Sequence, residues 1–89
     1  MLKVGDKVRI ISDVEQLKKS FEGIGMDYVE VMKDMAGKVF EIQSMFTNHL
    51  NHEFVALPKL DGDGTWYFPK TVVDLCEYAL LLSFVLITL

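Results

Sequence analysis

The sequence has 89 residues, of which 51% are hydrophobic and 25% are charged. These proportions predict one folded domain with a modest core and exclude an intrinsically disordered chain. The net charge is −4, and the nine lysine and arginine residues are scattered along the chain. Nucleic acid is not expected as a partner, because phosphate binding needs a concentrated basic surface. A carboxylate-rich mimic of DNA is a less favoured alternative, since thirteen acidic residues are balanced by nine basic ones.

Cysteine usage and the first residues bear on the cellular compartment. Cys76 is the single cysteine and cannot form an internal disulfide. The opening run MLKVGDKVRI lacks the long apolar region and the cleavage site of a signal peptide. Both observations predict a cytoplasmic protein, in a compartment where thiols stay reduced.

The first predicted element is a strand that ends near Ile11. Val8 and Ile10 alternate with charged residues, which predicts one buried face and one solvated face. A short helix follows, because Ser12 and Glu15 have the spacing of a capping box. Apolar residues recur behind this cap at helical spacing: Val14, Leu17 and Phe21.

The glycines of FEGIGMD predict a turn after this helix, because glycine permits positive backbone dihedrals. Tyr28, Met32 and Met35 then recur at helical spacing. This pattern fits either a second short helix or an ordered loop with a single helical turn. Gly37 ends the segment in both cases.

Four further strands are predicted after Gly37. From Lys38 onward, Phe40 and Ile42 point inward at a period of two residues. EFVALPKL is a strand stopped near its proline, DGDG is a hairpin turn, and TWYF is the next strand. A tight turn at KTV precedes the last strand, VVDL. Five short strands with a long first connection predict a mainly β domain over residues 1–77, built as a small barrel with one or two short helices.

Strand alternation divides the aromatic residues of TWYF between two faces. It places Trp66 and Phe68 on the inner face and Tyr67 on the outer face. Trp66 fits two roles, a core residue or a binding residue, because large aromatic side chains dominate both settings. Tyr67 is the better binding candidate of the two.

Three segments, KVGDKVRI, MAGKVFEI and TWYFPKTVVDL, are similar to the SH3-like repeats of mind-bomb ubiquitin ligases and of small phage and bacterial proteins. The resemblance covers Lys3 to about Leu75 and implies a five-stranded SH3-like barrel. It also implies a partner-binding aromatic groove beside the long first connection. The matching positions here are Tyr28, Trp66 and Tyr67. This sequence departs from the pattern in its longer second turn, Phe46 to His52, and in its C-terminal extension.

No set of residues in the sequence predicts catalysis or metal binding. His49, His52 and Cys76 do not have the ligand number or spacing of a zinc site. Asp61 and Asp63 fit Asp-Gly turn chemistry better than a calcium loop, which needs more oxygen ligands at fixed spacing. The serines lie in no nucleophile motif. The protein is therefore expected to be non-enzymatic, with no catalytic residue, metal or cofactor.

Residues 78–89, YALLLSFVLITL, form an apolar C-terminal extension without a charge. The run is too short to span a membrane, which needs about 20 apolar residues. Periodicity does not distinguish strand from helix here. We expect burial in a homo-oligomer interface through Leu81, Phe84 and Leu86, with an intramolecular cover as the second alternative.

Taken together, these features predict a module that binds a protein or peptide partner through an aromatic barrel surface. The alternative is a phage-type accessory or anti-defence protein that, as an oligomer, inhibits a host enzyme or sequesters a small ligand. The two differ in whether an oligomer held by the extension is required.

Overall fold

The computed structural model describes residues 2–76. The predicted C-terminal extension, with Leu81, Phe84 and Leu86, lies outside these residues, so its role stays a prediction.

Short strands and short helices make up the described chain. In chain order the elements are β1 (Lys7–Ile10), α1 (Val14–Lys19), a first 3-10 helix (Glu30–Met35), β2 (Val39–Glu41), β3 (Ser44–Thr47), β4 (Glu53–Pro58), β5 (Thr65–Pro69), a second 3-10 helix (Lys70–Val72) and β6 (Val73–Leu75). The strands form two antiparallel sheets: the first sheet has the order β2-β1-β6 and the second the order β3-β4-β5. The mainly β prediction is confirmed.

The strand predicted from Lys38 is divided between the two sheets. The Ile42 amide donates to the Asp6 carbonyl in the first sheet, whereas the next amide, Gln43, donates to Ala56 of β4 in the second. The chain therefore changes sheets between these two residues. The described strands number six and lie in two sheets, so the prediction of a small barrel of five strands stays a prediction.

Helix α1 begins one residue later than the predicted capping box implies. Asp13, not Ser12, is the N-cap, and its Oδ1 accepts hydrogen bonds from the amides of Glu15 and Gln16 at 3.0 and 3.2 Å. A carboxylate at this position also interacts favourably with the positive end of the helix. The predicted cap, Ser12, is therefore wrong by one residue.

The segment that contains Tyr28, Met32 and Met35 was predicted to be a second short helix or a loop with a single helical turn. It forms a 3-10 helix, which buries Met32 and Met35. Gly37 follows with φ of +77°, and its amide donates to the carbonyl of Ile10. A side chain at Gly37 would meet the Cβ of Ser12 at 3.3 Å, so glycine suits both the dihedral and the space.

The core contains side chains from both sheets and from the first connection, residues 11–38. Its buried members are Val8, Ile10, Leu17, Phe21, Met32, Met35, Ile42, Val55, Leu57, Phe68, Val72 and Val73. The first connection thus covers one side of the sheets with its own apolar residues. This placement brings the 3-10 helix close to β5.

Candidate functional site

Trp66 lies on the inner side of β5, as predicted, but its ring is only half-buried. It packs against the core and stands opposite Leu57 of β4. The ammonium nitrogen of Lys59 lies 4.2 Å from the centroid of the indole ring. This cation–π contact is worth about 0.5–1 kcal/mol at an exposed site. One part of the Trp66 ring therefore packs on the core, and another part is accessible.

Apolar side chains surround the accessible part of this ring. Trp66 shares a cleft of about 250 Å³ with Val31, Lys59, Leu60 and Asp61, and we call these five residues the Trp66 patch. Val31 is 42% exposed and Leu60 is 49% exposed. Such an exposed apolar group beside a large aromatic residue is typical of interaction surfaces.

One carboxylate lies in the Trp66 patch, and a second follows Val31 in the first 3-10 helix. Asp61 lines the cleft directly. Asp34 follows Val31 by three residues in the first 3-10 helix. Side chains three apart eclipse in a 3-10 helix, so Asp34 lies on the same face as Val31. The surface around the patch is thus suited to a positively charged neighbour.

Tyr67 points to the opposite side of the second sheet and is 38% exposed. Its ring meets Phe46 edge to face at 5.0 Å, and Phe46 stacks on Phe54 at 5.1 Å. We call this side of the second sheet the outer face; its apolar residues include Phe46, Phe54, Ala56 and Tyr67. The predicted outward orientation of Tyr67 is confirmed.

Tyr28 lies in the first connection, on a third surface. Its ring contacts Phe21 edge to face at 5.7 Å, and the Lys18 ammonium lies 6.0 Å from its centroid. These residues line a cleft of about 390 Å³ that also includes Met26. The Tyr28 hydroxyl is buried and has no hydrogen-bond partner in the described part of the chain.

The three predicted binding residues therefore do not form one groove. Trp66 and Tyr67 lie on opposite faces of β5, and Tyr28 lines a different cleft. Sequence reasoning missed Val31 and Leu60, which complete the surface around Trp66. Leu60 gave a weak signal, since it is an apolar residue directly before a hairpin turn, where solvent exposure is expected.

Replacing Tyr28 by phenylalanine should stabilise the protein. Burial raises the pKa of Tyr28 above its usual value, and the Glu30 carboxylate adds to this shift. A buried hydroxyl without a hydrogen bond is costly, so we expect Tyr28→Phe to raise the free energy of unfolding by about 1 kcal/mol. Urea denaturation at pH 7 measures the change.

The same substitution should alter the alkaline limb of the pH–stability profile. Below about pH 10 tyrosine is neutral in both states and the shift has no effect. Above this value Tyr28 ionises in the unfolded chain before it ionises in the folded one. The wild type therefore loses stability until the pH exceeds the raised pKa of Tyr28 in the folded state. Tyr28→Phe should lose less stability across this window. Equal losses in both proteins would contradict the burial of the hydroxyl.

The described residues show no arrangement of metal ligands. Over residues 2–76, no group of three or more His, Cys, Asp or Glu side chains is placed to hold a metal ion. His49 and His52 are exposed in the turn before β4. Within the same part of the chain, no helix has the length and apolar character needed to cross a membrane.

Comparison with known proteins gives no relative from which to transfer a role. No family model matches the chain, and no curated protein matches it. The candidate site therefore rests on the geometry of the Trp66 patch.

Proposed function

We propose that the protein is a non-enzymatic interaction module that binds a protein or peptide partner at the Trp66 patch. The observation that supports this proposal is the half-buried Trp66 ring between two exposed apolar side chains, Val31 and Leu60. A tryptophan held by the core is rigid, so little conformational entropy is lost when a partner packs on it.

We further propose that the two sheets are the halves of an SH3-like barrel. The order of the strands supports this, because β2 and β3 are successive parts of one extended segment that contributes to both sheets. The resemblance of KVGDKVRI, MAGKVFEI and TWYFPKTVVDL to SH3-like repeats points the same way. In such a barrel the Trp66 patch lies between the long first connection and the β4–β5 hairpin.

The charges around the patch specify the partner further. Lys59 is held over the indole ring, whereas the Asp61 carboxylate lines the cleft and Asp34 lies on the Val31 face of the first 3-10 helix. The expected ligand is a segment with an apolar side chain, which packs on Trp66, next to a lysine or arginine. Electrostatic complementarity of this kind contributes mainly to specificity and association rate.

Selection from a random peptide library tests this proposal, with Trp66 as the reporter. Trp66 is the single tryptophan of the chain, so its fluorescence responds directly to a bound peptide. Enriched peptides should combine an apolar and a basic residue and should change the emission of Trp66. Val31→Ser and Leu60→Ser should each weaken binding about tenfold, which corresponds to 1.4 kcal/mol.

Val4→Ser is the matched control, since Val4 is 58% exposed in the N-terminal turn and is not part of the patch. Its binding should equal that of the wild type. Equal weakening by all three variants, or enrichment of peptides without a basic residue, would count against the proposed site. Thermal unfolding of each variant separates loss of binding from loss of folding.

A further inference from the structure

The side chain of Lys59 covers one face of the Trp66 ring. Its ammonium nitrogen lies 4.2 Å from the centroid of the indole, and tryptophan is the aromatic residue that attracts cations most strongly. Both residues line the same cleft, together with Asp61. The face of this ring is therefore a cation site, and in the isolated chain the protein's own lysine occupies it.

The β4–β5 hairpin fixes the backbone of Lys59 but not its ammonium group. The Lys59 amide donates to the Gly64 carbonyl at 3.0 Å, and the Lys59 carbonyl accepts from the Gly62 amide at 2.9 Å. Within residues 2–76 the ammonium group forms no ion pair. A cation–π contact at an exposed site changes an equilibrium only about two- to fivefold. Another cation can therefore displace the lysine side chain while the hairpin stays in place.

An arginine side chain suits this cleft better than lysine does. The guanidinium group is planar, stacks on aromatic faces and is more weakly hydrated than an ammonium group. The Asp61 carboxylate lines the cleft without pairing to Lys59 within the described residues. It is available to accept charge-assisted hydrogen bonds from a guanidinium group. Such a group would thus gain the ring and the carboxylate together.

We propose that Lys59 occupies the position that an arginine side chain of the partner takes on binding. The guanidinium stacks on the indole face, Lys59 moves into solvent, and the partner's apolar side chain packs beside Val31 and Leu60. This inference rests on the proposed function, because it takes the Trp66 patch as the binding surface. It adds that arginine is preferred to lysine and that Lys59 competes with it.

Proton NMR of the full chain follows this displacement directly. The ring current of Trp66 should shift the ε-methylene protons of Lys59 upfield in the free protein. Acetyl-leucyl-arginine amide should move these resonances back toward their usual positions. The corresponding lysine peptide should do so at a higher concentration. The citrulline peptide, a neutral isostere of the arginine peptide, should leave them unchanged.

Lys59→Ser removes the competing cation and should tighten binding of the arginine peptide about fourfold. Lys33→Ser is the matched control. It removes the same charge from the 3-10 helix that carries Val31, but Lys33 pairs with Glu30 at 3.2 Å. Exposed charges away from the ring are screened by salt, so this variant should bind within about 1.5-fold of the wild type. Trp66 fluorescence measures both affinities, and thermal unfolding verifies that both variants fold.

The outcomes separate this inference from the proposed function. Peptide binding that leaves the Lys59 protons unmoved, or equal tightening by both variants, would overturn the displacement of Lys59 and leave the proposed function standing. Displacement by acetyl-arginine amide, with no tighter binding of the leucyl peptide, would support the cation site and contradict a surface for apolar side chains. Failure of these ligands to bind either the wild type or Lys59→Ser would overturn both.

Discussion

Phe68→Ala should lower the free energy of unfolding by about 3–5 kcal/mol, the range for removing a fully buried phenylalanine. Phe68 is 0% exposed, stands opposite Val55 of β4 and meets Phe21 of the first connection edge to face at 6.2 Å. Its ring thus joins the second sheet to the first connection. A domain of this size has a total stability on the order of 5–10 kcal/mol, so the variant should be close to its unfolding midpoint without denaturant.

Urea denaturation followed by Trp66 fluorescence measures this loss, with circular dichroism as an independent probe. Val4→Ala is the matched control, because it removes methyl groups from a residue that is 58% exposed. That variant should differ from the wild type by less than about 0.5 kcal/mol. A loss below about 1 kcal/mol for Phe68→Ala would mean that the ring does not join the two parts of the core.

The inner position of Phe68 could be predicted from the sequence because alternation is a local property of a strand. The same argument placed Val8 and Ile10 in the core and Tyr67 on the outside, and the structure agrees at each position. Strand length and hairpin position also followed from local signals, since DGDG and proline restrict the backbone over a few residues. These features need no knowledge of the partner strand.

The division between β2 and β3 could not be predicted, because it depends on which strands lie on either side. Ile42 bonds to the N-terminal turn and Gln43 to β4, and the sequence pattern of the segment is continuous across this point. Alternation with Val55 puts Phe54 on the outer face of the second sheet, although the residue is fully buried. A period of two identifies a face but not what covers that face.

The Trp66 patch was only partly predictable for a related reason. Trp66 was recognised as a candidate, but its neighbour Val31 comes from the first connection and lies far away in sequence. Tyr28 and Tyr67 were grouped with Trp66 through the resemblance, whereas the structure places them on two other surfaces. Contacts between distant segments arise from tertiary packing, which local patterns do not encode.

Leu17→Ala should lower the free energy of unfolding by about 2–5 kcal/mol and loosen the start of the first connection. Helix α1 has six residues, and an isolated helix shorter than about 12 is marginal in water. Its stability therefore depends on the Asp13 cap and on Leu17, which is 0% exposed in the core. Because a cap contributes about 1 kcal/mol, the burial of Leu17 is the larger of the two effects.

Hydrogen exchange distinguishes loosening of this helix from general unfolding. The Ser20 amide, which donates to Gln16 in the last turn of α1, should exchange faster in Leu17→Ala by a larger factor than the Gln43 amide between the sheets. Gln16→Ala is the control, since Gln16 is exposed on the same helix and alanine is a good helix former. Equal acceleration at both amides would mean that α1 unfolds only with the whole domain. Faster exchange at Ser20 alone would identify the first connection, which carries Val31, as the less stable part of the interaction surface.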